Sequence, residues 1–388
     1  MSRIIFGSAN HWTSPYQVGS HAWARLFTKH DWQAAYISDP ITPWHWFNFK
    51  NRERTCERFA LWRSMGKFFE DGKLRAWAPF SLIAPHRITP FSGSWTLEKW
   101  DSFSIPSIAS QINQWRFGSP DILWLDSVRH IGWGRRLNPK FTVLRLADWL
   151  AGFTAVPSSV LEMERKLIAE VDLVITSAKT LENRVKPFRN GKPLATIRNG
   201  VDVSFWRDPC NEPLEYAEIP SPRAIYVGAL DEWFDMPLLI AVAKALQHVS
   251  FVLIGQERAS FNKEDAPSNI YWLGSRPREK VPAYIQHAQV GIIPFKRTEL
   301  IEYVCPLKLF EYAACGLPIV SSQWRELEQM NSPAQLASGT EEWIHFLETI
   351  LKQTDGNKAL VKAALDYAIA NDWQHRWMEW EAIYTQRE

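Results

Sequence analysis

Residues 305–320 of this chain read CPLKLFEYAACGLPIV, a pattern that predicts one short helix followed by a buried strand. Pro306 suits the first helical position and Gly316 suits the C-terminal cap. Pro318 stands just beyond and keeps the helix from continuing. The helix is therefore expected to run from about residue 306 to 315.

Lys308 and Glu311 lie three residues apart on one face of this predicted helix. The first turn offers unpaired backbone N–H groups and the positive end of the helix dipole, and both attract phosphate. A lysine there meets a diphosphate, while a carboxylate accepts the hydroxyl groups of a ribose. An isolated pair of this kind is more often an exposed ion pair of small energy. The nucleotide interpretation therefore depends on the rest of the chain.

The composition is that of a folded protein without a membrane span. A length of 388 residues suggests two domains, and a formal net charge of +2 argues against a protein that coats nucleic acid. Apolar runs stay well short of the ~20 residues that cross a bilayer, and the N-terminal run is too short for a secretory signal, so a cytoplasmic location is expected. The four cysteines lack metal or disulfide spacing and are expected to be buried or partly buried free thiols.

Short apolar runs alternate with longer helical stretches, as in parallel sheets flanked by helices. The strands expected in the first half are 3–7, 34–38, 122–126, 141–146, 173–177 and 194–198. Those expected in the second half are 224–227, 251–254, 271–273, 291–294 and 319–321.

The proline-rich segment 208–223 separates the two series and has no helical period, which is typical of an interdomain linker. The expected fold class is therefore α/β, with two Rossmann-like domains, residues 1–207 and 224–371, facing across a cleft. Residues 372–388 are expected to form a helix with tryptophans on one buried face.

Six motifs carry a family resemblance. IRNGVD (197–202), YVGALDEWFD (226–235), FVLIG (251–255) and VGIIPF (290–295), followed by the opening stretch, resemble the C-terminal half of a GT-B glycosyltransferase. VLRLADWLAGF (143–153) resembles the loop that bears the catalytic aspartate in the bacterial glucuronosyltransferase of xanthan assembly and related polysaccharide glycosyltransferases.

The resemblance implies a hexosyltransferase of bacterial exopolysaccharide biosynthesis. Its first domain would bind the acceptor, its second the nucleotide sugar, and the C-terminal helix would cross back to the first domain. The donor would be UDP-linked, with glucuronic acid as the candidate sugar, and the acceptor a saccharide or a lipid-linked saccharide. The alternatives are a retaining GT-B enzyme, a UDP-sugar epimerase, or a non-catalytic saccharide-binding protein of the same fold.

Asp148 follows a predicted strand and corresponds to the general base of the resembling enzyme. By itself, an aspartate at this position is more often a turn or helix-cap residue. Sugar transfer with inversion needs one carboxylate to accept the proton of the attacking hydroxyl. Retaining relatives commonly have a histidine before the aspartate, whereas this chain has Ala147, so inversion is expected.

The resemblance also assigns a donor site. Gly228 would let the backbone approach phosphate or sugar, Lys308 and Glu311 would bind diphosphate and ribose, and Arg276 would contact the base. The full set of expected donor contacts is Gly228, Ala229, Leu230, Arg276, Phe295, Leu307, Lys308 and Glu311. Asp-x-Asp, which holds a divalent ion in metal-dependent enzymes of the other major fold, is missing from the sequence, so neither metal nor cofactor is expected.

The acceptor side is less defined by the sequence. His11, Trp12, His21 and Trp149 are candidate acceptor contacts and are equally typical of a structural cluster. Residues 44–77 interleave aromatic and basic side chains. That pattern favours core plus a solvated basic face, then an anionic membrane surface at the inner face of the membrane, and last single-stranded nucleic acid. Nucleic acid is not an expected partner.

Overall fold

The computed structural model describes residues 1–15, 17–47, 52–85, 91–154, 156–352 and 357–386. The chain forms two compact units, Met1–Ile197 and Arg198–Glu388. The predicted linker 208–223 belongs to the second unit. Arg223 explains why, since its guanidinium lies 4.1 Å from the Tyr216 ring centroid and donates to the carbonyl oxygens of Tyr216 and Ile219. This proline-rich segment is therefore packed within the second unit and does not form a free linker.

The first unit is built on one large sheet and a small strand pair. Its strands are β1 (Arg3–Ser8), β2 (Gln33–Ser38), β3 (Lys67–Phe69), β4 (Leu74–Trp77), β5 (Phe80–Ser81), β6 (Ser104–Ile105), β7 (Ile122–Leu125), β8 (Phe141–Leu146), β9 (Leu173–Thr176) and β10 (Leu194–Thr196). Its helices are α1 (Gly19–Lys29), α2 (Arg52–Arg63), α3 (Ser94–Lys99), α4 (Ile108–Gln114), α5 (Trp133–Leu137), α6 (Ser158–Glu170) and α7 (Lys179–Val185). The large sheet has the order β10-β9-β8-β7-β1-β2-β4-β3 and is parallel except for β3, while β5 pairs with β6.

The second unit has a wholly parallel six-stranded sheet of order β13-β12-β11-β14-β15-β16. Its strands are β11 (Arg223–Val227), β12 (Ser250–Ile254), β13 (Ile270–Gly274), β14 (Val290–Ile293), β15 (Ile319–Ser322) and β16 (Gln335–Ala337). Its helices are α8 (Val203–Arg207), α9 (Met236–Ala245), α10 (Val281–Gln286), α11 (Leu307–Ala314), α12 (Arg325–Gln329), α13 (Thr340–Lys352), α14 (Asn357–Ala370) and α15 (Trp373–Thr385).

Each strand expected from the sequence is present, with ends shifted by at most two residues. The alternation of apolar runs did not reveal β3, β4, β5, β6 or β16. In β4, Arg75 interrupts the apolar pattern because it pairs with Phe68 of β3, where its guanidinium lies 4.2 Å from the ring centroid. A cation that covers an aromatic ring can therefore occupy a strand position that looks polar in the sequence.

The C-terminal helix α15 lies in the second unit. Trp377 and Trp380 are buried, as the spacing of the tryptophans predicts, and Trp373 is half-buried. Asp372, the residue before the helix, accepts from the backbone N–H of Val203 at 3.1 Å. The helix therefore packs on the segment that opens the second unit.

Two further expectations concern thiols and membrane spans. Cys305 is buried and Cys210 and Cys315 are half-buried, but Cys56 is exposed, so its expected burial is wrong. Cys56 lies in α2, whose apolar residues are too scattered to cover it. Within the described ranges, every helix is too short or too polar to cross a membrane.

Candidate functional site

Lys308 lies in the first turn of α11 and is enclosed by aromatic rings. The helix has its N-terminal cap at Pro306 and begins at Leu307, one residue after the predicted start, and Gly316 follows it in the left-handed conformation at φ +69°. The Lys308 Nζ is 5.1 Å from the Tyr226 ring centroid and 4.9 Å from that of Phe295. Burial lowers the pKa of Lys308 to about 8, and the Glu311 carboxylate opposes that shift.

A cation at the positive end of a helix dipole is unfavourable unless an anion joins it. The two rings beside Lys308 compensate through their quadrupoles. An anionic ligand would compensate further, because it would meet the lysine and the helix terminus at once. The arrangement is thus suited to bind phosphate.

Gly228 follows β11 and brings the backbone against Lys308. A Cβ atom at this position would lie 3.0 Å from the Lys308 Nζ and 3.1 Å from the Tyr226 Oη. Its φ of +150° is a conformation that side-chain-bearing residues rarely adopt. At the end of β12, a Cβ on Gly255 would overlap the Gly228 carbonyl oxygen at 1.8 Å. The two glycines therefore keep open the backbone surface next to the lysine.

Glu311 lies one turn further along α11 and is half-buried. Burial raises its pKa, and the positive charges of Lys308 and Arg278 oppose the shift. Arg278 packs 3.8 Å from the Phe205 ring centroid. The sequence pointed to Arg276 in this loop and missed Arg278.

Arg276 has other partners. Its Nε donates to the Tyr284 hydroxyl at 3.0 Å, and its Nη2 lies 3.2 Å from the Glu215 carboxylate. Both arginines occupy the basic loop that follows β13, and the loop composition was the signal available from sequence. Only packing separates an arginine that acts on Glu311 from one that pairs with Glu215.

The other expected donor contacts differ in their burial and surroundings. Phe295 is buried beneath Lys308 and stacks on Trp324, with ring centroids 5.8 Å apart. Leu307 and Ala229 are half-buried. Leu230 is buried and pairs with the chain at Glu257, which makes it part of the fold of the second unit.

The motif IRNGVD supports α11 rather than forming its surface. Asn199 donates from Nδ2 to the Cys305 carbonyl at 2.7 Å, just before the helix begins. Arg198 pairs with the buried Glu326 at 2.8 Å. Asp202 caps α8 by accepting from the Phe205 N–H at 3.2 Å. The motif therefore holds the helix terminus that presents Lys308.

In the first unit, Asp148 follows β8 directly, as predicted, and is half-buried. Burial raises its pKa above the ordinary value of 3.8, and the positive charge of Arg145 opposes that shift. A carboxylate with a raised pKa is a stronger base than an exposed one. The position is suited to accept a proton.

Asp126 is a second carboxylate at this edge of the sheet, and the sequence analysis did not select it. It follows β7, and its Oδ1 lies 3.7 Å from the Nη1 of the buried Arg145. Burial raises its pKa to about 6 against the opposing charge of Arg145. A Cβ on Gly19, the first residue of α1, would lie 2.5 Å from the Arg145 Nη2. Arg145 thus sits between α1 and the two strand ends.

The structure brings together three of the candidate acceptor residues and buries them. His11, Trp12 and His21 are each at most 5% exposed. The Trp12 ring centroid lies 5.4 Å from that of His21 and 5.1 Å from that of Tyr36. Trp149 is buried apart from this cluster, under the Arg184 guanidinium at 5.1 Å.

The aromatic and basic stretch 44–77 divides into α2, β3 and β4. Trp44 is 62% exposed and Phe68 is 53% exposed, whereas Trp77 and Leu61 belong to the core. The side chains of five further members, Trp46, Phe47, Phe49, Lys50 and Arg52, lie outside the described residues.

Comparison with known proteins gives a family match within the second unit and structural matches over the whole chain. Residues 221–353, which lie in the second unit, match the family described as glycosyl transferases group 1. The whole chain superposes on a sucrose-phosphate synthase from Thermosynechococcus elongatus with a TM-score of 0.71, 14% sequence identity, and coverage of 100% of this chain and 99% of that one. The chain has the GT-B fold. A second GT-B neighbour, Anabaena Alr3699/HepE in complex with UDP, gives a TM-score of 0.65 at 12% identity with full coverage of both chains.

A curated relative is also similar in sequence. The putative teichuronic acid biosynthesis glycosyltransferase TuaH of Bacillus subtilis (strain 168) is 24% identical over 223 residues. The match covers 54% of this GT-B chain and 56% of that relative, so the chain spans about half the length of the relative it matches. The resemblance to GT-B glycosyltransferases noted in the sequence is confirmed by these findings.

Proposed function

We propose that this protein transfers a sugar from a nucleotide-sugar donor to a saccharide or lipid-linked saccharide, with inversion at the anomeric carbon. The single observation that carries the proposal is Lys308 at the start of α11, packed against two aromatic rings and against the side-chain-free backbone of Gly228. A diphosphate is the ligand that this combination of cation, helix terminus and bare backbone suits best.

The donor is proposed to be UDP-linked. Glu311 would accept the ribose hydroxyls, and Lys308 would neutralise the negative charge that develops on the diphosphate as it leaves. The Anabaena neighbour was solved with UDP and with UDP-glucose, which supports the nucleotide. Glucuronic acid remains the proposed sugar, and the description of the TuaH relative as a teichuronic acid biosynthesis protein is consistent with it.

Asp148 is proposed as the general base. The acceptor oxygen attacks the anomeric carbon, the bond from that carbon to the diphosphate oxygen breaks, and UDP departs with the bonding pair. The proton of the acceptor hydroxyl passes to Asp148. The raised pKa of Asp148 supports this role, because a carboxylate with a higher pKa is a stronger base towards the acceptor hydroxyl.

The reaction is proposed to need no metal ion and no cofactor. Lys308 is the cation that would face the diphosphate, and Arg278 adds a second positive charge near Glu311. Two fixed cations and a helix terminus can stabilise a leaving diphosphate in place of a divalent ion. The acceptor is also proposed to lie at a membrane surface, which the exposed rings of Trp44 and Phe68 support.

A nucleotide panel tests the donor assignment. Thermal unfolding is measured both with and without chelator, with UDP, GDP, ADP and their sugar conjugates added. A ligand at 100 times its dissociation constant adds about 2.7 kcal/mol to the free energy of unfolding. We expect UDP to stabilise the protein and UDP-glucuronic acid to stabilise it further. A panel in which every nucleotide leaves the melting temperature unchanged would overturn the donor site, and stabilisation that disappears in chelator would overturn metal independence.

The pH profile tests the base. Only ionised Asp148 accepts a proton, and burial raises its pKa, so kcat/KM is expected to fall on the acid side through a pKa above 3.8. Asp126, with a pKa of about 6, is the competing carboxylate. In Asp126→Asn the fall of kcat/KM on the acid side should remain and move to lower pH. Arg145 then acts on Asp148 alone and lowers the pKa of Asp148 further. A fall that vanishes in Asp126→Asn would identify Asp126 as the base instead.

A further inference from the structure

A cavity of about 310 Å³ opens in the first unit where β2 ends. Its walls include the backbone after β2 at Asp39 and Pro40, the first turns of α2, and Arg129 from the segment after β7. The carboxyl ends of parallel strands are where α/β folds place ligands. Its described lining residues do not include His11, Trp12 or His21, the buried cluster that the sequence analysis selected, but the charges of Arg58 and Arg54 add to burial in lowering the pKa of His11.

Three arginine side chains line the cavity. Arg54 and Arg58 lie four residues apart and so share one face of α2. Arg58 donates from Nη2 to the carbonyl oxygens of Asp39 and Pro40, at 2.6 and 3.0 Å. Arg129 comes from the opposite wall and lies 2.5 Å from the Asp39 carboxylate.

The positive charges of this cavity exceed the negative ones. Of the described lining residues, Arg54, Arg58 and Arg129 carry three positive charges and Asp39 carries one negative charge, which leaves an excess of two. His45 adds none at neutral pH, because burial and the Arg58 charge lower its pKa to about 4. Burial lowers the pKa of Arg58 to about 10. The negative charge of Asp39 opposes this shift, whereas the positive charges of Arg54 and Arg129 add to it. The cations repel one another here, and an anion between them relieves that repulsion.

The remaining wall is apolar. Trp44 lines the cavity and is 62% exposed, and Ile83, Ala84 and Pro85 line it as well. Leu82, next to them in the chain, is 53% exposed. A site with guanidinium groups inside and exposed apolar side chains at its edge suits a ligand that is anionic at one point and apolar or sugar-like beside it.

We infer that this cavity binds a negatively charged group of the acceptor, with Arg54 and Arg129 as its ligands and Arg58 as the residue that holds the wall between them. Guanidinium groups bind phosphate and carboxylate alike through paired N–H donors. A diphosphate of a lipid-linked acceptor and a carboxylate of an acidic sugar share this chemistry. The term acceptor depends on the proposed function, whereas the anion site does not.

Calorimetric titration with inorganic pyrophosphate tests the site. The full chain is first saturated with UDP, so that Lys308 is already occupied and the measured heat comes from binding at other anion sites. We expect pyrophosphate to bind, and Arg54→Gln and Arg129→Gln each to weaken it about tenfold or more, as loss of a charge-assisted hydrogen bond does. Arg63→Gln is the matched control, since Arg63 is the exposed last residue of the same helix. It should leave the affinity unchanged.

A parallel titration with glucuronate separates the two sources of negative charge. Arg54-dependent binding of pyrophosphate but not glucuronate supports a phosphate group, and the reverse supports a carboxylate. If neither anion binds, or if Arg54→Gln and Arg63→Gln behave alike, the arginines only support the fold and the inference is overturned.

The proposed donor site is judged separately. If UDP itself fails to bind, the proposed function loses its donor, and pyrophosphate is then titrated into Lys308→Met without nucleotide. Arginine-dependent binding in that variant keeps the anion site, and its loss overturns it.

Discussion

Replacing Asp148 by Asn is expected to lower kcat by about 10²–10⁴-fold, the range that general-base catalysis contributes, and to leave the binding of the UDP-sugar intact. Asparagine keeps the shape of the side chain and removes its ability to accept the proton. The rate of sugar transfer to the acceptor is measured in a single turnover. Donor binding is measured in parallel as the thermal stabilisation that the UDP-sugar produces.

The fold should survive this substitution. Burial disfavours the charge of Asp148, and Arg145 retains Asp126 at 3.7 Å as a partner. Asp71→Asn is the control, because Asp71 is exposed in a turn at φ +53°, where asparagine is well tolerated. Turnover by Asp148→Asn at the rate of Asp71→Asn would show that the chain uses another base.

Replacing Lys308 by Met is expected to lower kcat/KM by about 10²–10³-fold and to remove most of the stabilisation by UDP. Methionine keeps the length and apolar stem of the lysine and can pack against the rings of Tyr226 and Phe295. What it loses is the positive charge aimed at the diphosphate, and a single preorganised electrostatic contact of this kind is worth that factor in rate.

Lys244→Met provides the comparison for this second substitution. Lys244 is exposed near the end of α9 in the same unit, so its removal changes the net charge by the same amount. Stabilisation by UDP should persist in Lys244→Met. Equal responses of the two variants to UDP would contradict the assignment of Lys308 to the diphosphate.

Local sequence was sufficient to predict the helix and the strands that carry the proposed donor site. The prolines and glycine around residues 306–318 placed α11 to within one residue at each end, because caps act through neighbouring backbone groups. Apolar runs likewise located the strands that precede Gly228 and Asp148, since the pattern of a buried strand depends only on its own residues.

Sequence was insufficient where two distant segments meet. Arg276 and Arg278 have the same chemistry in the same loop, and packing alone assigns the first to Glu215 and the second to the vicinity of Glu311. Asp126 reaches Arg145 because β7 and β8 are neighbours in the sheet. His11 and His21 looked available for an acceptor, yet the structure buries both, because the loop between β1 and α1 folds inward over Tyr36.

By itself, the sequence determined the α/β character of both units, the helix that presents Lys308 and the aspartate after β8. Those features follow from caps, periodicity and turn preferences that act over a few residues. Only the tertiary structure decided which charges are buried, which carboxylates share Arg145, and that arginines more than 70 positions apart line one cavity. Burial and pairing of charges depend on strand order and on helix packing, and these join residues that a local pattern does not connect.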